Sequence, residues 1–251
     1  KAKDNYYLIC PSSIAKEISK KLSMYIMRSE VTFSSEEEIS FFSFYGNGKE
    51  DNLFKGLLSQ LPKKVMQTFK HISTSDKNNY FSITKLPGEE KRFFMLGEGE
   101  LIKSIYNKLK QSIGVADYNR WNSSDIEAKI PNIFKESQGQ FIPQSLNLDI
   151  LNAVNFKKGC YTGQEIVART HYLGDSKRRM FQADLSINEL FNIGDPILAN
   201  NNKVGQVVNY YEGNPGSFRL LIEIRIDEAE SILSLKNNVL SINLSDMHLF
   251  S

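Results

Sequence analysis

Lys157-Lys158-Gly159-Cys160-Tyr161-Thr162-Gly163-Gln164-Glu165, running on into Ile166-Val167-Ala168-Arg169, is the stretch on which the reading of this chain turns. Glycines flank Cys160-Tyr161, and glycine lets a backbone turn tightly or approach another group closely. Lysines precede the thiol and an arginine follows it, and nearby cations stabilise a thiolate over a thiol. The apolar run Ile166-Val167-Ala168 is expected to anchor the loop to a packed element. Against a reactive Cys160 stands the ordinary role of a lone cysteine as a small buried hydrophobe. Exposure decides between the two.

The rest of the composition bounds the answer. A chain of 251 residues holds one large domain or two to three small ones, with ample length to bury a core. Its 41% hydrophobic and 24% charged residues are ordinary for a soluble globular protein. A net charge of +2 is too small to argue for a nucleic-acid partner, and no DNA is expected. From Lys157 to Arg179, however, six Lys or Arg stand against two acids, a local +4 that leaves −2 for the remainder. Such a patch fits an anionic ligand better than a general DNA or RNA surface. Cys10 and Cys160 make neither a disulfide framework nor a CxxC pair, the usage of a reducing, cytoplasmic compartment. His71, His171 and His248 lack ligand spacing, so no metal is expected. No apolar run is long enough to span a membrane, and no secretory signal is present. The first residue is Lys1 rather than Met, so an N-terminal truncation is expected.

Along the chain, Tyr6–Cys10 reads as a strand ended by Pro11, and Ser12 or Ser13 as the cap of a helix carrying Ile14, Ile18, Leu22, Tyr25 and Ile26. Val31–Phe33 and Ile39–Tyr45 are expected strands, and 52–61 a short helix stopped before Pro62. Residues 63–79 carry no clear pattern. Tyr80–Leu86 and Arg92–Leu96 predict a hairpin around Pro87-Gly88. Glu98–Ile113 is the clearest helix, with Ile102, Ile105, Leu109 and Ile113 on one stripe and Gly114 closing it. This order suggests an α+β layer with an open antiparallel sheet. Asn147–Val154 reads as a short amphipathic turn of helix leading to the Cys160 loop. Beyond it, 178–187, 196–199, 203–211, 218–226 and 239–244 are strand-like and separated by Gly/Asn/Pro turns. Five short strands predict a small antiparallel barrel starting near residue 176, with the Cys160 loop at a domain junction. The expected domains are therefore 1–115 (α+β), 116–175 (a connecting segment with the motif) and 176–251 (the barrel). Trp121, the sole tryptophan, is read either as a core aromatic or as a flat face for a pterin or aryl ring. Arg120 is either a cation for an anionic tail or a solvated charge.

Lys158–Glu165 resembles, unbroken, the Lys-Gly-Cys-Tyr-x-Gly-Gln-Glu signature of the YgfZ family. The likeness extends upstream through Trp121, Asp125-Ile126-Glu127-Ala128, Ile130-Pro131, Gln140-Phe141-Ile142-Pro143-Gln144 and Asn147-Leu148. Downstream it runs through Val167-Ala168-Arg169 to Gly174 and Lys177-Arg178. YgfZ proteins bind folate and are linked to tRNA modification and iron–sulfur enzyme maintenance; they are related to the glycine cleavage T-protein, a tetrahydrofolate-dependent aminomethyltransferase. The resemblance implies a T-protein-like multi-domain ring with ferredoxin-like α+β layers and a C-terminal β-barrel. It further implies a reactive group of Cys160, Lys158 and Tyr161, and a folate (tetrahydrofolate) site of Trp121, Gly159, Gly163, Gln164, Glu165 and Arg169. The implied function is folate binding in support of iron–sulfur cluster assembly and tRNA thiomethylation, with iron–sulfur enzymes and tRNA-modifying enzymes as partners. The alternatives are a true aminomethyl- or methyltransferase, or a scaffold whose basic patch docks an acidic partner or RNA. Whether the chain is an enzyme stays open. One departure stands out, Lys129 where the family has glycine, and a second aromatic used near the family's N-terminus has no counterpart here.

Overall fold

The computed structural model describes residues 6–26, 30–34, 39–46, 48, 54, 61–72, 80–174, 176–245 and 247–249. It divides into two compact units, one of residues 32–124 and the other of 1–31 with 125–251.

The 32–124 unit is built on four antiparallel strands, β1 (Ile39–Tyr45), β2 (Thr68–Ile72), β3 (Tyr80–Leu86) and β4 (Arg92–Glu98), in the order β1-β4-β3-β2. The expected hairpin is β3–β4, with Leu86 opposite Arg92 across the Pro87-Gly88 connection. Strand alternation sends Phe44, Phe81, Ile83, Phe93 and Met95 to one face, where they pack with Ile102, Ile105 and Leu109. Those last three lie at helical spacing on α2 (Gly99–Ile113), reached directly from β4. Glu98 caps that helix, its carboxylate accepting from the N–H groups of Glu100 and Leu101 at 2.9 and 2.8 Å. Gly97 is required at the strand end, because a Cβ there would lie 2.3 Å from the Tyr80 carbonyl oxygen.

In the other unit, β5 (Arg178–Ser186), β6 (Pro196–Ala199), β7 (Asn202–Asn214), β8 (Ser217–Arg225), β9 (Leu233–Leu235) and β10 (Asn238–Asn243) close into an antiparallel barrel. Their order is β10-β5-β8-β7-β6-β9. Phe181, Ala183, Leu220, Ile222, Ile224 and Val207 fill the interior, whereas Met180, Leu221 and Val208 point outward and bury Ile126 and Leu146. β5 and β8 are thus buried on both faces. The unit also holds α1 (Ser12–Ser23) and the motif helix α4 (Gln164–Tyr172); the division between units falls within α3 (Tyr118–Glu127).

Several local expectations change. Tyr6–Cys10 and Val31–Phe33 form no strand, and Tyr6, Leu8, Ile9, Val31 and Phe33 are exposed. β-Propensity describes fit to a pleated, half-buried surface rather than an intrinsic backbone preference, so residue type alone does not make these segments strands. The patternless 63–79 region contains β2, an edge strand whose alternation is carried by Phe69 and His71, the latter stacked on Phe81 at 5.1 Å. Of the expected 52–61 helix only Phe54 and Leu61 lie within the described residues. The helical turn read over 147–154 is a single turn: a 3-10 turn, Pro143–Leu146, ends at Asn147 (φ +58°), after which the Leu151 N–H donates to the Asn147 carbonyl at 2.9 Å and Asn152, at φ +55°, closes the turn. The barrel has six strands rather than five, the added one being β9.

Candidate functional site

The motif forms a turn that leads into α4. Gly163 sits at φ +85° as the residue before the helix, a conformation that glycine adopts without strain. The Gln164 side chain accepts from the Tyr161 N–H at 3.2 Å, and the Gln164 N–H donates to the Tyr161 carbonyl at 3.1 Å. These reciprocal bonds set the loop that carries Cys160. Gly159 proves different from Gly163: its backbone is ordinary and a Cβ would meet open space, so neither a tight turn nor a close approach requires glycine there. Cys160 is a free, exposed thiol, which removes the buried-hydrophobe reading. The Lys158 ammonium lies 4.4 Å from the centre of the half-buried Tyr161 ring, a cation–π contact. Glu165 and Arg169 are exposed one helical turn apart on α4.

The expected anchor holds through one residue of its three. Val167 is buried and its carbonyl accepts from Gln144 Nε2 at 2.6 Å, while Ile166 is 59% exposed. The basic patch is smaller than its sequence charge. Arg179 is committed to Asp149 at 2.7 Å and to the Gln144 carbonyl at 2.9 Å. Arg178 pairs with Glu223 at 2.5 Å and donates to the Val204 carbonyl at 2.8 Å. Lys157, Lys158, Arg169 and Lys177 stay exposed. His171, at the end of α4, stacks on Phe156 with ring centres 3.6 Å apart. No group of three His, Cys, Asp or Glu among the described residues could hold a metal.

Trp121 belongs to the other unit. It lies on α3, which Asp117 caps by accepting from the Arg120 N–H at 2.8 Å. Its ring is 5.4 Å from that of Tyr45, and the guanidinium of the fully buried Arg92 stands 4.9 Å from its centre. Trp121 lines an open cleft of about 340 Å³ alongside Phe42 and Tyr45 of edge strand β1 and Tyr106 and Lys110 of α2. That volume is at the lower end for small-molecule sites. Arg120 is not available to the cleft as a free cation; it pairs with Glu90 and lies 5.1 Å from the Tyr45 ring centre. Tyr45, Arg92 and Lys110 were not legible as partners of Trp121, since only folding brings such distant positions together.

Lys129 ends α3. Its N–H donates to the Ile126 carbonyl at 3.0 Å and that of Ile130 to Asp125 at 2.8 Å, the paired bonds of a Schellman cap, with Lys129 at φ +55°. Glycine adopts that conformation without strain, whereas a lysine there carries left-handed strain. Lys129→Gly is expected to gain about 1 kcal/mol and raise the thermal midpoint by roughly 2–4 °C, read by scanning calorimetry. Nearby, Glu127 accepts from the Tyr211 hydroxyl at 3.0 Å; burial first, then this bond, raises the Tyr211 phenol above its ordinary value.

The fold defines the class. The chain superposes on the glycine cleavage system aminomethyltransferase T of Bartonella henselae with a TM-score of 0.64 at 14% identity, covering 92% of this chain and 65% of that one. It is a T-protein-like fold. No family model matches the chain. Proteins named tRNA-modifying protein YgfZ are its homologues: that of Colwellia psychrerythraea is 29% identical over 84% of this chain and 64% of the relative. That of Pectobacterium carotovorum is 30% identical over 70% and 51%, and that of Escherichia coli 29% over 77% and 57%. The chain thus spans about half to two-thirds of the length of the curated relatives it matches. The resemblance read from Lys158–Glu165 is borne out at the level of sequence and fold.

Proposed function

We propose that this protein binds a reduced folate at the Trp121 cleft and supports iron–sulfur enzymes, including those that thiomethylate tRNA, with Cys160 as its reactive group. The observation that carries the reading is the cleft: a half-buried indole among further aromatic rings presents apolar faces of the kind on which a pterin stacks. The exposed thiol of Cys160 supports the second half, because chemistry on a thiol requires access. In this reading Lys158 and Tyr161 assist the thiol, while Gly163, Gln164, Glu165 and Arg169, with Gly159, shape the loop and contribute to ligand binding. The YgfZ name of the homologues fits a tRNA-linked role in the cytoplasm. No described helix is long and apolar enough to cross a membrane.

The test is a calorimetric titration with tetrahydrofolate on the chain and on Trp121→Ala. The parent is expected to bind and the variant to lose about tenfold or more in affinity, the range that removal of one stacking ring produces. Equal affinity for the two proteins would move the ligand away from Trp121. Absence of binding by the parent would end the folate reading for these residues.

A further inference from the structure

Resting on the folate-binding reading, we infer that Lys110 is the specificity residue of the Trp121 cleft, recognising the carboxylates of the ligand's glutamyl tail. Lys110 lies in the last turn of α2, is exposed, and lines the same cleft as Trp121, Tyr45 and Tyr106. Other charges around this site are engaged. Arg120 pairs with Glu90, buried Arg92 donates to the Pro87 carbonyl at 2.8 Å behind the indole, and Asp117 caps α3 through the Arg120 N–H. No salt bridge joins Lys110 to Asp117 or to any other acid among the described residues, so its ammonium is available to an incoming anion.

The ordinary role of such a lysine is to complement the negative end of its helix, which needs no ligand. Two features point further. The cleft combines flat aromatic faces with a cation at its wall, so the matching ligand is an aromatic ring system carrying an anionic tail. A neutral pterin would satisfy the rings and leave the lysine unused. Its open mouth also suits a long ligand whose tail emerges toward water, where a flexible ammonium reaches a carboxylate as a point charge.

The experiment uses the intrinsic fluorescence of Trp121, the only tryptophan in the chain, as the binding signal. The probes are tetrahydrofolate and its dimethyl ester, which keeps the rings and removes both negative charges. Lys110→Met is expected to weaken tetrahydrofolate binding about fivefold at low ionic strength, an effect that shrinks as salt rises. The ester is expected to bind parent and variant alike, at about the affinity of the variant for tetrahydrofolate. Lys108→Met, one exposed lysine that does not line the cleft, is expected to leave both affinities unchanged. Equal tetrahydrofolate affinity in the parent and Lys110→Met would overturn the inference while leaving folate binding intact. Failure of both probes to perturb Trp121 in the parent would overturn the folate reading itself.

Discussion

Arg179→Met is expected to destabilise the barrel unit by about 3 kcal/mol, read by chemical denaturation, with a thermal midpoint lower by roughly 6–12 °C. Arg179 lies on β5 with its side chain 10% exposed, and Nη1 contacts both oxygens of Asp149 at 2.7 and 2.9 Å. Asp149 is itself only 16% exposed. Removing the guanidinium leaves a poorly solvated carboxylate without its counter-charge, and that residue of charge accounts for most of the loss. Removing both charges, in Arg179→Met with Asp149→Leu, is accordingly expected to recover a substantial part of it. A loss below about 1 kcal/mol in the single variant would mean that the pair behaves as a surface ion pair.

The same substitution reaches the motif. Arg179 also donates to the Gln144 carbonyl, and Gln144 Nε2 donates to the Val167 carbonyl in α4. Barrel strand, 3-10 turn and motif helix are joined through two side chains. Faster amide exchange in α4 is therefore expected to accompany the drop in stability. The basic residues that looked in sequence like part of an anion site turn out, at Arg178 and Arg179, to hold the scaffold under it.

What was legible in the sequence follows the range of the forces involved. The β3–β4 hairpin and most of the barrel were readable because turn chemistry and alternation are local. β9 escaped: it has three residues, and its turn to β10 is Lys236-Asn237, both at positive φ without a glycine to announce it. α3 escaped because Asn119, Asn122, Ser123 and Ser124 are poor helix formers, leaving the Asp117 cap as the main signal. The motif could be read as a unit because its parts are contiguous and bond to one another, as Gln164 does to Tyr161. The Trp121 cleft could not, because β1 and α2 supply walls from residues far apart in the chain.

Cys160→Ala is expected to leave stability within about 0.5 kcal/mol of the parent and to abolish function completely. The first half follows from exposure: the side chain is free and solvent-facing, so its sulfur fills no core space whose loss would register. The loop does not need it either, since Gly163 and the Gln164–Tyr161 bonds set the turn. The second half follows from the proposed role, in which the thiol is the group that reacts. In cells carrying only this variant, thiomethylated tRNA should fall to the level seen without the protein, as measured by mass spectrometry of tRNA nucleosides. Cys160→Ser, which keeps a hydrogen-bonding group of similar shape, is expected to fail as well, because a hydroxyl is a far weaker nucleophile at neutral pH. Cys10→Ala should retain full activity. Normal thiomethylation with Cys160→Ala would remove the thiol from the mechanism, whereas activity with serine but not alanine would turn Cys160 into a hydrogen-bonding residue.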